Sequence, residues 1–94
     1  MDANGYNESL LPSNGCYICG IGGDLARHEV FEGINRRKSK ADGMWVTLCP
    51  ECHARVHQFP KDHMWLKKRA QKIYMEHNNV DTQGFIERYG RNYA

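Results

Sequence analysis

The stretch WVTLCPECHARVHQF, residues 45–59, decides how the rest of the chain is read. Trp45, Val46 and Thr47 favour extended backbone, so MWVTL (44–48) reads as a strand. Cys49-Pro50-Glu51-Cys52 follows at once, two thiols around a tight turn, with a proline that the first turn of a helix tolerates. A helix is expected to start at Pro50 or Glu51 and to stop before Pro60. On that helix His53 and His57 stand four residues apart and share a face. Strand, cysteine knuckle and paired histidines thus succeed one another without a break.

The knuckle has a counterpart upstream. Cys16 and Cys19 form a second CxxC in CYICGIGGD, where glycines permit a tight turn, and 29 residues separate Cys19 from Cys49. Two such knuckles supply the four thiolates of a closed, tetrahedral, structural zinc site. The gap is wider than in a zinc ribbon, which requires a whole strand–loop–strand unit between the knuckles. A rival grouping is Cys49, Cys52, His53 and His57, which would leave the first pair idle. A chain of 94 residues makes one small domain, which benefits from such a staple. MDANGYNESLLPSNG (1–15) lacks the basic start and apolar stretch of a signal peptide, and no apolar run is long enough to span a bilayer. The thiols are therefore expected to be reduced, in a cytoplasm, with no membrane partner.

A four-cysteine zinc site has no open position, so chemistry must come from elsewhere. LARHEVF (25–31) reads as the first strand, and its His28 can face the helix that carries His53 and His57. Three histidines from two elements would make a second, open metal site with room for water or phosphate. Glu29, the next strand residue, should point to the opposite face. His63 and His77 have no such context and read as surface or packing residues.

Between the strands, EGINRRKSKADG (32–43) is polar and turn-rich and reads as a loop. Residues 1–15 read as a loose lead-in. Asp62 to about His77 is helical in pattern, with Leu66, Ala70, Ile73 and His77 on one face, Asp62 as its cap and Asn78-Asn79 as its stop. DTQGFIERYG (81–90) reads as a last helix capped by Asp81 or Thr82 and ended by Gly90. The fold class is therefore small α+β: one domain over 16–94, with a zinc-stapled core (16–58) and C-terminal helices (61–94).

Net charge is only +2, but it is unevenly spread. Residues 1–35 hold one arginine against five acids, whereas residues 36–72 hold ten basic residues against three acids. Arg36, Arg37, Lys38 and Lys40 of the loop, and Arg55 between the two helix histidines, are the candidate contacts to a phosphate backbone. Lys67, Lys68, Arg69 and Lys72 read as a solvated helix face.

CYICG (16–20), ARHEVFEG (26–33) and WVTLCPECHARVH (45–57) together resemble the HNH endonucleases, or ββα-metal nucleases, in their zinc-knuckle form. HEVFEGINRRKS and the terminal ERYGRNY look like small phage or prophage HNH proteins. The resemblance implies a hairpin and a helix gripping one divalent ion, Mg²⁺ or another such as Mn²⁺, Ni²⁺ or Zn²⁺, beside the structural Zn²⁺. It implies cleavage of DNA phosphodiester bonds in a bacterial host cytoplasm, with other phage or host proteins as further partners. His28 and Glu29 occupy the family's paired ligand and general base; His53 matches the helix histidine and His57 a further ligand. Two departures stand out. Glu29 lies where the family carries a histidine base, and DGMWVT (42–47) lacks the asparagine usual there, leaving Asn35 as the residue that would pin the loop. The competing functions are a zinc-stapled DNA-binding module and a protein-interaction domain without catalysis.

Overall fold

The computed structural model describes residues 1–94. Two short strands, β1 (Ala26–Glu29) and β2 (Trp45–Leu48), pair antiparallel with His28 opposite Val46 and Glu29 opposite Trp45. Both are shorter than their sequence pattern suggests, although the Val30 amide still donates to the Met44 carbonyl at 3.0 Å. One face of the hairpin carries Val46 and Leu48 into the core together with His28; the other carries Arg27, Glu29, Trp45 and Thr47. No helix is long and apolar enough to cross a membrane.

The connection between the strands is not a loop. Gly33–Asn35 forms one 3-10 turn and Arg36–Ala41 a short helix, α1. Arginine, lysine and alanine are good helix formers, and no glycine or proline falls within Arg36–Ala41. What holds six residues helical is tertiary. Ser39 is fully buried, accepts from the Phe31 amide at 3.1 Å and donates to the Met44 carbonyl at 2.5 Å. Ser39→Ala would strand the buried Phe31 amide, so a loss of about 1–3 kcal/mol is expected in urea unfolding. Gly43 ends the excursion with φ +72°, and a Cβ there would collide with the Glu8 carbonyl.

Residues 1–15 have no helix or strand, as their composition suggests, yet they are docked along the free edge of β2. The Leu10 amide donates to the Gly43 carbonyl at 2.9 Å, Ser9 Oγ to the Trp45 carbonyl at 2.5 Å, and Trp45 Nε1 to the Asn7 carbonyl at 2.8 Å. Leu11 is buried in the core. This segment covers the outer face of the hairpin, and so decides what Glu29 meets.

Helix α2 (Pro50–Gln58) starts at Pro50, and Cys49 Sγ accepts from the Cys52 amide at 3.4 Å as its cap. A 3-10 turn, Pro60–His63, then leads into α3 (Met64–Asn78). The expected Asp62 cap is not made, because the 3-10 turn absorbs that position and the helix begins beyond it. Leu66 and Ala70 are buried and Ile73 half-buried, but His77 is exposed, since the helix outruns the core at that end. The buried polar residue of α3 is Gln71, which clasps the C-terminal tail: Nε2 donates to Asn92 Oδ1 and Oε1 accepts from the Tyr93 amide, each at 2.7 Å. Asn79 (φ +52°) stops α3.

Helix α4 (Thr82–Tyr89) is capped by Asp81, whose Oδ1 accepts from the Gly84 amide at 3.0 Å, and ends at Gly90 (φ +85°). It is fastened to the hairpin connection at several points. Arg88 grips Asp42 through two bonds of 2.9 Å, and Asn35 Nδ2 donates to the Tyr89 carbonyl at 2.9 Å. The core between the hairpin and α3–α4 is aromatic: Phe31 packs on Tyr89, Tyr93 and Phe85 at centroid distances of 4.5, 5.3 and 5.4 Å.

Candidate metal centres

The two knuckles meet. The ligand sulfurs of Cys16, Cys19, Cys49 and Cys52 all lie within 4.8 Å of one another, and Cys19 and Cys49 are 3.8 Å apart. A tetrahedron with arms of about 2.3 Å has edges of about 3.8 Å, so the spacing suits zinc. None of the four is in a disulfide. Burial pushes the Cys16 thiol up, but hydrogen bonds from the backbone of Cys19, Cys49 and Ile18 reverse this and bring it down to about 6. Cys52 is pushed well up by burial and by its three thiol neighbours. Such a cluster ionises fully only around a cation, and the four cysteines can hold a structural metal such as zinc. The rival grouping of Cys49 and Cys52 with His53 and His57 is not formed, because α2 turns its histidines to a different side from its buried Cys52–Val56 stripe.

Those histidines meet His28 instead. Ligand atoms of His28, His53 and His57 also lie within 4.8 Å of one another. Ring centroids are 5.3 Å apart from His28 to either helix histidine, and 4.9 Å between His53 and His57. The cysteine cluster joins the first turn of α2, which carries His53, to the Cys16–Cys19 knuckle ahead of β1, which carries His28. His28 is only 3 % exposed, and burial, aided by the charge His53 and His57 would carry, pushes its pKa down to about 4. His53 is lowered as well, by burial and then by His57. Both are therefore neutral at pH 7, the form that ligates metal.

Glu29 alternates with His28 along β1 yet lines the same pocket, and its surroundings differ from those of a free base. It is 6 % exposed; Oε1 accepts from Arg36 Nε at 2.6 Å and Oε2 from the Tyr6 hydroxyl at 2.9 Å. Burial alone would raise its pKa, but the hydrogen bonds from Arg36 and Tyr6 and the guanidinium charge outweigh it, and the net shift is downward. Glu29 thus stays ionised and holds Arg36, whose side chain is 68 % exposed, at the rim of the histidine pocket.

That pocket has a volume of about 300 Å³ and no apolar lining; it is walled by Arg27, Glu29, Glu32, Arg36 and the three histidines, with Gly33 at its edge. Gly33 and Arg36 also line a neighbouring groove of about 1090 Å³, so the two openings adjoin. Arg37, Lys38, Lys40 and Arg88 lie along that groove. Lys38 donates to the Arg88 carbonyl at 2.8 Å and Lys40 to the Asn4 carbonyl at 3.4 Å, so both ammonium groups also have partners within the chain. Arg55 is on the exposed side of α2, paired with Glu51 at 3.0 Å, and does not line the pocket. His63 Nδ1 sits 2.9 Å from the Phe59 carbonyl, a local contact.

Sequence reasoning missed three neighbours of the triad. Tyr6 arrives with the docked N-terminal segment. Arg27 lies against the rings of both Tyr6 and Trp45, its guanidinium 4.4 and 5.1 Å from their centroids. Glu32 comes within 3.9 Å of His28 and 3.8 Å of His57. Four residues along a strand span roughly 13 Å, so only the break in β1 after Glu29 brings Glu32 back.

No family model matches the chain, and neither a curated protein nor a solved structure aligns with it.

Proposed function

We propose that the chain is a metal-dependent nuclease with an HNH (ββα-metal) core that hydrolyses phosphodiester bonds of DNA, in a phage-related, cytoplasmic setting. The observation that supports this most is the meeting of His28, His53 and His57 in a polar pocket that adjoins a basic groove. Their three imidazoles would hold the divalent ion, a donor set that suits Mn²⁺, Ni²⁺ or Zn²⁺ better than Mg²⁺. Bound there, the ion supplies a Lewis acid for a phosphoryl oxygen and acidifies a water. Arg36, anchored by Glu29, and Arg27, lying against two aromatic rings, stand at the rim where the flanking phosphates are held. The groove bearing Arg37 carries the backbone onward.

The test is cleavage of supercoiled plasmid with Mg²⁺, Mn²⁺, Ni²⁺ or Zn²⁺, and with chelator. His53→Ala and His57→Ala should each lower the rate by about 100-fold or more. One observation favours a second reading, a zinc-stapled DNA-binding or protein-interaction module without catalysis: Glu29, where the resemblance puts the general base, has both oxygens engaged. Folded, zinc-loaded protein that leaves the plasmid intact with every metal would sink the nuclease. Salt-sensitive DNA binding would then separate the binding module from the interaction domain.

A further inference from the structure

Glu32 lies three residues beyond the end of the strand that carries His28 and immediately precedes the 3-10 turn. The Glu32 side chain makes no capping bond to that turn. It is directed at the histidines. Oε1 lies 3.9 Å from His28 Nε2 and Oε2 lies 3.8 Å from His57 Nδ1, so one carboxylate bridges two members of the triad. Ligand atoms around one ion with arms of about 2.1 Å stand roughly 3.0–3.4 Å apart. Glu32 stands outside the group of ligand atoms within 4.8 Å that the three histidines form, so its carboxylate must swing inward to join them, and a side chain 42 % exposed is free to do so.

We propose that Glu32 is a fourth, exchangeable ligand of the divalent ion held by His28, His53 and His57, occupying in the resting protein the position a phosphate oxygen takes on binding. This rests on the metal site of the proposed nuclease and adds to it a ligand that the HNH resemblance did not supply. A carboxylate joined to three imidazoles lowers the charge of the filled site by one and strengthens its hold on a transition-metal ion. Its exposure lets an incoming phosphate displace it. His28, the most deeply buried of the three histidines, stays fixed while Glu32 swings.

The experiment titrates Co²⁺ into the zinc-loaded full chain and follows the visible absorption of the second equivalent. Wild type, Glu32→Gln and His57→Ala are compared, with and without inorganic phosphate. Glu32→Gln should weaken Co²⁺ binding by about 10-fold or more and change its spectrum. Phosphate should bind the Co²⁺-loaded Glu32→Gln protein more tightly than wild type, since no carboxylate has to be displaced. His57→Ala should weaken Co²⁺ in either background. Unchanged Co²⁺ affinity and spectrum in Glu32→Gln, with His57→Ala still impaired, would overturn the fourth ligand and leave the triad standing. If wild type takes up no second equivalent, the triad itself fails as a metal site and this proposal falls with it.

Discussion

Replacing Cys49 with alanine is expected to unfold the protein. The residue contributes twice, as one of four sulfurs around the staple and as the cap of α2. A structural zinc site contributes on the order of 10 kcal/mol in small domains at neutral pH. Whole domains are stable by only about 5–15 kcal/mol, so losing the metal removes most or all of the margin. The hairpin itself cannot make up the loss: it has two strands of four residues each, and a two-stranded sheet is marginal in water. Cys19→Ser, at the exposed corner of the site, should act in the same direction without touching the helix cap. The checks are metal content by elemental analysis, expected at one structural equivalent, and the near-ultraviolet circular dichroism of Trp45 and Trp65. A chelated or Cys49→Ala protein that keeps a cooperative melt within a few degrees of the metal-loaded wild type would show that the cysteines are not the staple.

The second large effect is expected at Phe31. Its ring is fully buried and touches Phe85, Tyr89 and Tyr93, so it ties the end of the hairpin to α4 and the tail. Phe→Ala at such a site costs about 3–5 kcal/mol through lost transfer energy and the cavity left behind. At about 4 °C or more per kcal/mol for a chain of this size, the melting temperature should fall by at least roughly 12 °C. Phe31→Leu should recover much of it, because most of the volume is kept. The comparison belongs in saturating zinc, so that metal binding does not move with the variant. A loss below about 1 kcal/mol would mean that the aromatic cluster closes over the gap and that the hairpin is held chiefly by the cysteines. Since Phe31 lies three residues beyond His28, the same variant should loosen the triad without removing any ligand from it.

How much was legible depended on the range of the interactions involved. Local chemistry was readable directly. Pro50 at the start of α2, Asp81 and Gly90 at the ends of α4, and Asn79 at the end of α3 are where their own residue types place them. The α1 helix was not readable, because RRKSKA lies between turn-forming residues and its one buried side chain, Ser39, is held by partners outside the helix, Phe31 and Met44. The Asp62 cap failed for a related reason: a 3-10 turn competes for the same residues, and only packing chooses between them.

By itself, the sequence determined which cysteines and histidines come together in groups that could hold a metal. The spacing of Cys16, Cys19, Cys49 and Cys52, and the four-residue step from His53 to His57, restrict the ligands to one pairing of turns and one helix face. Only the tertiary structure decided what surrounds them. Glu29 is an ionised anchor because an N-terminal segment without helix or strand lays Tyr6 against it and α1 presents Arg36. Glu32 reaches the triad because β1 ends at Glu29, two residues short of its sequence pattern. Metal ligands are legible because their spacing is a local property of turns and helices. The charge state and partners of a carboxylate depend on which distant segment covers it, and no local pattern encodes that.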